Sequence, residues 1–530
     1  MKKLNRRDFL KTIGGTSGFL LLNSNCVFNF PNSSFRTPLN VPSDRGLFGV
    51  LEPSAPFTMT TREIEHQIVP SKNTRLWVYE TEIEGKQYIN PIIRTKKGST
   101  LRTTLENELH EPTIVHWHGL HVDHENDGHP ISQIEPLDEY QYDFEVQNRS
   151  STYWYHTHAH RRTGIQAYHG LASFFIVEDG DEQNLTDSLD LNFGETDIPL
   201  VIQDKTFDSS GDLVYFQTPM DCGGGFLGNT ILANLTYRPY QNVATRTYRF
   251  RILNGSNARI YRLTFTNNFA RIPFYVIGND GGLLSSPQEV TEVFLSPGER
   301  VDVLLDLSKN RLGETVWLKS LAFSDGIGLG MMGGNMCMTP FGTLPNGSEF
   351  SILKLNVTQR TIYDKKIPNE LSSITPINTD GAETRRFTLS FLFMQWLING
   401  LSFDMNEVPI TVTRGSTEIW EITNPSKTMG RGMGSMGMMS MPHPMHIHGF
   451  QFQVLQRVNS PSEVRRLAIT NNGLLPSDMG FKDTVLVWPG ETVRIAVDFS
   501  HNFQGRQLYL LHCHILEHED NGMMMNYEVI

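Results

Sequence analysis

Cysteine, long apolar runs and blocks of basic residues are all scarce in this sequence, and each shortage excludes a class of protein. Four cysteines in 530 residues cannot build a disulfide scaffold. No stretch reaches the ~20 consecutive apolar residues of a membrane-spanning helix, so we expect no stable membrane insertion. The 57 acidic and 45 basic residues give a formal charge of -12, which argues against a nucleic-acid partner. Hydrophobic residues at 39% indicate a globular composition rather than wholesale disorder.

The N-terminus has the features of a targeting segment rather than of a membrane anchor. Basic residues come first, and the moderately apolar stretch 12–22 is too short to cross a bilayer. Residues 5–11 (NRRDFLK) resemble the twin-arginine export signal, so we expect that machinery to deliver the protein to the periplasm. Cys26 offers a lipidation site, but residues 23–25 lack the small-residue box that usually precedes one. We assign residues 1–44 to the signal and a linker, with the cleavage site left open.

From about residue 45 onward the sequence predicts an all-β protein. Short runs with alternating or β-branched residues are separated by clusters of Gly, Pro, Asn and Asp. Examples of such runs are 75–82, 100–105, 141–146 and 172–177. No long helical period interrupts them, which favours sandwiches or Greek-key barrels. Polar, turn-rich linkers are predicted at 179–197 and 361–384, and they leave domains at 45–180, 197–360 and 384–530.

Histidine is confined to the two ends of the chain. All 18 histidines lie at or before His169 or at or after His443, so the middle third has none. Four His-x-His pairs occur among them, at 116–118, 156–158, 446–448 and 512–514. Residues i and i+2 of a strand face the same side, so each pair presents two imidazoles to one point. A single pair is often a surface accident, but four pairs supply eight ligands and predict a metal cluster.

The last of these pairs contains a cysteine, Cys513, whose side chain on a strand points away from its two histidine neighbours. His518 and Met523 follow it, and His443 precedes the third pair. One thiolate, two imidazoles and a weakly bound thioether form the blue-copper electron-transfer set, because soft sulfur and borderline nitrogen suit an ion that cycles between Cu(I) and Cu(II). A structural zinc site needs only four closed ligands, so zinc is disfavoured. The two histidines beside Cys513 give electrons two short covalent paths to the cluster.

These segments resemble the four copper-binding segments of the multicopper oxidases: HWHG, YHTH, HPMHIHG and HCHILEHEDNGMM. The resemblance implies three cupredoxin-like Greek-key β-sandwich domains, with a trinuclear cluster between the first and the third. It implies four copper ions and the reduction of O2 to water. The implied type 1 ligands are His443, Cys513, His518 and Met523. The implied type 2 ligands are His116 and His446, and the implied type 3 ligands are His118, His156, His158, His448, His512 and His514.

Water formation consumes protons, and two carboxylates are candidate proton relays. Asp127 lies eleven residues beyond His116, and Glu519 directly follows His518. Both match acidic positions that bacterial members of the family use near the cluster. The resemblance therefore assigns catalytic roles to Asp127 and Glu519.

A methionine-rich stretch comes just before the first type 1 ligand. Seven of the 17 residues from 429 to 445 are Met, and they alternate with Gly and Ser as a core segment would not. Exposed thioethers suit Cu(I), which is a soft ion. We therefore predict a docking site for a cuprous substrate at Met429, Met433, Met436, Met438, Met439 and Met441. The alternative is a flexible apolar lip around a phenolic substrate.

The resemblance is closest to bacterial copper-efflux oxidases and spore-coat laccases, whose substrates are Cu(I) and bulky phenols respectively. This chain lacks the efflux oxidases' Met-rich insert earlier in the third domain, and Met439 stands where an acidic partner of Met441 is expected. Cys222 and Cys337 form either a disulfide or two further soft copper ligands. We predict a monomeric periplasmic oxidase that uses Cu(I) for copper tolerance. Oxidation of phenols or ferrous iron, and copper sequestration without turnover, are the alternatives.

Overall fold

The computed structural model describes residues 34–70, 72–215, 223–267, 270–324, 344–392, 395–426 and 441–530. Strands dominate these residues and form six sheets. The predicted signal, Cys26, Cys222, Cys337 and the predicted docking residues Met429, Met433, Met436, Met438 and Met439 lie outside them.

The first third of the chain forms a sandwich of two sheets. Its strands, after β1 Thr37–Pro38, are β2 Gly46–Leu47, β3 Val50–Leu51, β4 Phe57–His66, β5 Thr74–Ile83, β6 Lys86–Ile89, β7 Ile92–Lys96, β8 Thr100–Asn107, β9 Val115–His116, β10 Glu139–Glu145, β11 Ser151–Thr157 and β12 Ala172–Glu178. One sheet has the order β10-β8-β4-β5-β6-β2 and the other β3-β7-β12-β11-β9. In β8, Leu101 and Leu105 point into the sandwich while Arg102 faces solvent, which is the period of two that the sequence shows.

The middle third forms a second sandwich, whose outermost strand is β1. Its other strands are β13 Asp197–Lys205, β14 Thr230–Ala233, β15 Thr236–Tyr237, β16 Pro239–Ala244, β17 Thr247–Asn254, β18 Tyr261–Asn267, β19 Ala270–Ile272, β20 Phe274–Asn279, β21 Gly282–Val290, β22 Val293–Leu295, β23 Arg300–Asp306, β24 Thr315–Ser320 and β25 Phe350–Gln359. One sheet runs β1-β16-β25-β24-β18-β19, with β22 also on β18, and the other runs β15-β14-β13-β17-β23-β20-β21.

The last third forms the third sandwich. Its strands are β26 Glu383–Leu392, β27 Gln395–Ile398, β28 Ile410–Val412, β29 Thr417–Thr423, β30 His443–Ile447, β31 Phe452–Val458, β32 Phe481–Lys482, β33 Thr484–Val487, β34 Thr492–Asp498, β35 Gln507–Cys513 and β36 Met524–Val529. The two sheets are β27-β26-β29-β34-β31-β32 and β28-β36-β35-β30-β33. Each sandwich encloses its own apolar core, and these cores include Trp117, Phe250 and Trp420 respectively. The all-β prediction is confirmed.

In the parts of the chain that the structure describes, four short helices have defined bounds. They are α1 Thr163–His169, α2 Gly180–Leu189, α3 Ser462–Arg465 and α4 Leu516–Asp520, together with 3-10 turns at Pro130–Ser132 and Pro476–Asp478. Among the described residues, none is long and apolar enough to cross a membrane.

The prediction of an exposed linker at 179–197 is wrong, because most of that stretch is α2. The Asp179 side chain accepts hydrogen bonds from the first backbone N–H groups of this helix, as an N-cap does. On the inner face, Glu182 is buried 2.5 Å from both Arg249 and Arg251, and Leu185 enters an apolar cluster. The polar composition hid the helix because its buried carboxylate is neutralised by partners more than 60 residues away. Residues 361–382, in contrast, contain no helix or strand, as predicted.

Candidate metal centre

Strand pairing in the first and third sandwiches brings the histidine pairs together. In the first sandwich, β9 and β11 pair so that His116 lies opposite His156. In the third, β30 and β35 pair so that His446 lies opposite His512. The second histidine of every pair follows just beyond the end of its strand; these are His118, His158, His448 and His514. All eight imidazoles are at most 1% exposed and meet between the two sandwiches.

Imidazoles of the first sandwich stack on imidazoles of the third. The rings of His116 and His448 stack with centroids 3.7 Å apart, and the rings of His118 and His446 stack at the same distance. Three sets of three ring nitrogens each lie within 4.8 Å of one another. The sets are His116, His118 and His446; His118, His156 and His514; and His158, His448 and His512. Each set has the spacing to hold one metal ion, and His118, which two sets share, can serve one of them at a time.

Hydrogen bonds from Nδ1 of His116 and His446 leave the Nε2 atoms of these two rings unprotonated and facing each other. Nδ1 of His116 lies 2.6 Å from the main-chain oxygen of Asp127, and Nδ1 of His446 lies 2.8 Å from that of Asp483. A carbonyl oxygen only accepts, so both Nδ1 atoms carry the proton and both Nε2 atoms present lone pairs. These Nε2 atoms are 3.3 Å apart. Two buried lone pairs at that distance repel unless a cation lies against both.

That cation is not a proton. Burial, with the neighbouring imidazoles, holds the pKa values of His116 and His446 well below the ordinary value for histidine. His514, which is also buried, has no hydrogen-bond partner for either ring nitrogen. The donor set therefore fits metal ions, because a bound ion satisfies nitrogens that nothing else in the site satisfies.

A second set of candidate ligands surrounds the sulfur of Cys513. Sγ lies 3.5 Å from Nδ1 of His443 and 3.6 Å from Nδ1 of His518. Nε2 of His518 lies 3.3 Å from the main-chain oxygen of Gly223, so its Nδ1 presents the lone pair to the sulfur. Burial raises the pKa of the Cys513 thiol, so a thiolate here needs a cation beside it. Met523 is fully buried, and its main chain bonds to both Cys513 and His518.

Both predicted carboxylates contact the imidazole cluster. Oδ2 of Asp127 lies 2.7 Å from Nδ1 of His448, and burial raises the pKa of Asp127 well above its ordinary value. The Glu519 carboxylate lies 3.5 Å from Nδ1 of His158 and 3.2 Å from Nδ1 of His512. Burial alone would raise the pKa of Glu519, but these two imidazoles hold it below its ordinary value. Two buried carboxylates of opposite proton affinity thus flank the cluster.

The sequence reasoning missed an aspartate that supports two of the imidazoles. Oδ1 of Asp483 lies 3.0 Å from Nε2 of His118, while its main-chain oxygen holds His446. Arg300 of the middle sandwich binds both carboxylate oxygens of Asp483, at 2.8 and 2.5 Å. The available signal was a Lys-Asp pair, 482–483, at the start of an apolar strand run, where charged residues need buried partners. The histidine-free middle sandwich therefore helps to build the site.

Of the predicted docking methionines, only Met441 lies in the described residues. Its side chain is 3% exposed and belongs to the apolar core of the third sandwich. Its main-chain oxygen accepts a hydrogen bond from Asn424. This burial differs from the exposed thioether that the Gly- and Ser-rich context indicated, because Met441 lies two residues before the fully buried strand β30.

Several known proteins resemble this chain over most of its length. Residues 63–182 and 371–530 match family models described as multicopper oxidase. A Staphylococcus haemolyticus relative named multicopper oxidase mco is 33% identical over 442 residues, covering 83% of this chain and 82% of the relative. A Bacillus subtilis relative named laccase is 31% identical over 529 residues, covering 89% and 94%. The crystal structure of the McoA multicopper oxidase from Aquifex aeolicus is 42% identical with a TM-score of 0.80, covering 93% of this chain and 99% of that one.

Proposed function

Because the chain belongs to the multicopper oxidase family, and so is an oxidoreductase that acts with O2, we propose that it oxidises Cu(I) and reduces O2 to water. The observation that carries the proposal is the joint geometry of the two ligand sets. Eight buried imidazoles form one cluster, and two of them, His512 and His514, are the sequence neighbours of the buried Cys513, whose sulfur is flanked by two further imidazoles. A copper-sequestering protein would need the second set alone.

We assign four coppers to these ligands. The residues that would hold the type 1 copper are His443, Cys513, His518 and the thioether of Met523. The proposed type 2 ligands are His116 and His446. The proposed type 3 ligands are His118, His156 and His514 for one ion and His158, His448 and His512 for the other. When bound, the coppers take up single electrons and supply the four that O2 reduction needs.

The residues around the ligands orient them and hold protons. The carbonyl oxygens of Asp127 and Asp483 keep the proton of their imidazole partners on Nδ1, which leaves Nε2 free to ligate. The carboxylate of Glu519 lies against Nδ1 of two imidazoles and is placed to pass protons toward the cluster. Oδ2 of Asp127 lies 2.7 Å from Nδ1 of His448 and is placed to pass protons to the cluster at that imidazole.

The position of the methionine-rich segment supports Cu(I) as the reductant. Met439 is four residues from His443, so their Cα atoms are at most ~14 Å apart. Four other methionines of the segment lie within the ten residues before Met439. We assign docking to Met429, Met433, Met436, Met438 and Met439, and not to Met441, because its thioether is buried. Thioethers close to a type 1 ligand would hold a cuprous substrate within electron-transfer range.

Oxygen uptake by the copper-loaded protein tests this substrate. Uptake is measured with Cu(I) and with a bulky phenol, for the wild type and for a variant with the five docking methionines replaced by Ser. A matched control carries Ser at Met331, Met332, Met336 and Met338, the methionine cluster of the middle third. We expect the first variant alone to lose Cu(I)-driven uptake while retaining phenol-driven uptake.

Phenol oxidation is the second candidate, because the Bacillus subtilis relative is named laccase. Phenol turnover without Cu(I) turnover, indifferent to both sets of Ser substitutions, would assign this chain to that activity instead. Tight copper binding without oxygen uptake from any donor would indicate sequestration.

We also propose export to the periplasm by the twin-arginine machinery, and a monomeric state. The motif at residues 5–11 supports the export route. Replacing Arg6 and Arg7 together by Lys should leave the protein in the cytoplasmic fraction, whereas an unchanged periplasmic fraction would exclude the route. Light scattering of the mature protein should give the mass of one chain.

A further inference from the structure

A tryptophan outside every recognised motif contacts both imidazoles of the cysteine site. Trp396 lies on β27, is 2% exposed, and packs against Phe391 of β26. Its ring centroid is 4.4 Å from that of His443, with the planes 72° apart. It is 4.7 Å from that of His518, with the planes 34° apart. One indole therefore restrains two rings that come from segments 75 residues apart.

The indole also shares a hydrogen-bond acceptor with one of these imidazoles. Nε1–H of Trp396 donates to the main-chain oxygen of Gly223 at 3.1 Å, and Nε2 of His518 donates to the same oxygen at 3.3 Å. A carbonyl oxygen has two lone pairs and can accept both. Gly223 belongs to the middle third of the chain, whereas Trp396 and His518 belong to the third sandwich. The indole and the imidazole are therefore bonded to the same residue from outside their own sandwich. This bond fixes the tautomer that directs Nδ1 of His518 toward the sulfur.

We propose that Trp396 is a positioning residue of the type 1 site, an inference that rests on the proposed function. Its ring holds the planes of His443 and His518 and keeps water from the side of the site that it covers. A dry, apolar wall disfavours the more highly charged Cu(II) relative to Cu(I). Trp396 therefore keeps the reduction potential of the site high, and its hydrogen bond to Gly223 keeps the coordination geometry uniform.

Two substitutions separate these contributions. Trp396→Phe keeps an aromatic ring and removes the bond to Gly223, whereas Trp396→Leu removes both. Trp420→Phe is the matched control, because Trp420 is a fully buried indole of the same sandwich that bonds to Glu418 and whose ring contacts are Phe387, Phe499 and Tyr527. Each copper-loaded protein is examined by its charge-transfer absorption, by the copper hyperfine splitting of its paramagnetic resonance spectrum, and by an equilibrium redox titration.

In Trp396→Leu we expect the equilibrium constant for reduction to fall at least tenfold, which is about 59 mV for a one-electron couple. In Trp396→Phe this equilibrium constant should fall by less, but the absorption band or the hyperfine splitting should change. Trp420→Phe should match the wild type in all three measurements. A blue wild type whose potential and spectra are unchanged in both Trp396 variants would overturn this inference and leave the proposed function standing. An equal shift in Trp420→Phe would also overturn it. A wild type with no blue absorption would overturn the proposed function and this inference together.

Discussion

Replacing Asp483 by Asn should loosen copper binding at the imidazole cluster without unfolding the protein. Asp483 is fully buried, and its carboxylate bridges Nε2 of His118 and the guanidinium of Arg300. In the variant, the amide nitrogen occupies one of the two oxygen positions, and in either orientation the neutral side chain loses its ion pair with Arg300. The anchor of the His118 imidazole is then weaker, and its Nδ1 is held less firmly 3.3 Å from Nε2 of His156.

The magnitudes follow from these contacts. Removing one partner of a buried ion pair costs about 3–5 kcal/mol of folding stability. We expect the lower end, about 3 kcal/mol, because Arg300 keeps Asp280 at 3.7 Å. Loss of an outer partner of a metal-ligating histidine typically weakens metal binding about 10–100-fold. Copper retention should therefore fall by about that factor, mainly at the ion held by His118.

The assay is dialysis against a competing copper chelator, followed by copper counting, with urea unfolding of the copper-free proteins alongside. Asp478→Asn is the matched control, because Asp478 is a buried partner of Arg457 at 2.6 and 2.8 Å in the same sandwich, and its side chain bonds to Arg457 and Leu475 rather than to a proposed ligand. Both variants should lose similar stability, and only Asp483→Asn should lose copper. Wild-type copper retention in Asp483→Asn, with the stability loss present, would refute the positioning role.

Three further predictions follow from single contacts. Gly298→Ala should lower the number of coppers bound per chain, because the new Cβ would lie 2.8 Å from the ring of His514. Its control is Gly313→Ala, which has a similar φ (+85° against +82°) but open space around the new Cβ. The control should lose only about 1–2 kcal/mol of unfolding free energy and no copper. Glu519→Gln should slow oxygen turnover by about 100-fold or more while the blue absorption persists, so unchanged turnover would remove it from the relay. Burial lowers the pKa of Lys205 to about 7, whereas in the unfolded chain this lysine keeps its proton up to about pH 10. Because the unfolded state binds more protons between these values, the free energy of unfolding should rise with pH across this interval. Lys205→Met should flatten that rise in urea melts of the copper-free protein, and an identical slope in both would contradict it.

The features that could be predicted from sequence are those carried by local pattern. The alternation in 100–105 predicted β8, because a half-buried strand repeats every two residues. The spacing of His512, Cys513 and His514 predicted that one sulfur and two imidazoles would diverge from a single strand end, and the structure places the sulfur with His443 and the imidazoles in the cluster.

The features that could not be predicted depend on contacts between distant segments. Asp483 reaches His118 across 365 residues, and Trp396 meets Gly223 across 173 residues. No spacing rule connects residues whose proximity is created by the docking of separate sandwiches. The helix α2 escaped prediction for the same reason, since its buried Glu182 is stable only beside arginines of β17.

These long-range contacts give the histidine-free middle sandwich a role in the site. Arg300 fixes Asp483, Gly298 packs against the ring of His514, and the oxygen of Gly223 holds His518. Asn257 adds a fourth support, because its side chain bonds to Gly164 of α1 and to Glu517 of α4. The middle sandwich thus contacts and orients proposed ligands that it does not supply.

The measurement that tests the central claim most directly is the electron balance of oxygen reduction in the protein loaded with counted copper. The account predicts four coppers per chain, four Cu(I) ions oxidised per O2 consumed, and no released hydrogen peroxide. Two Cu(I) ions per O2 with peroxide as the product, or steady oxygen uptake from chains that lack the six proposed type 3 imidazoles, would contradict it.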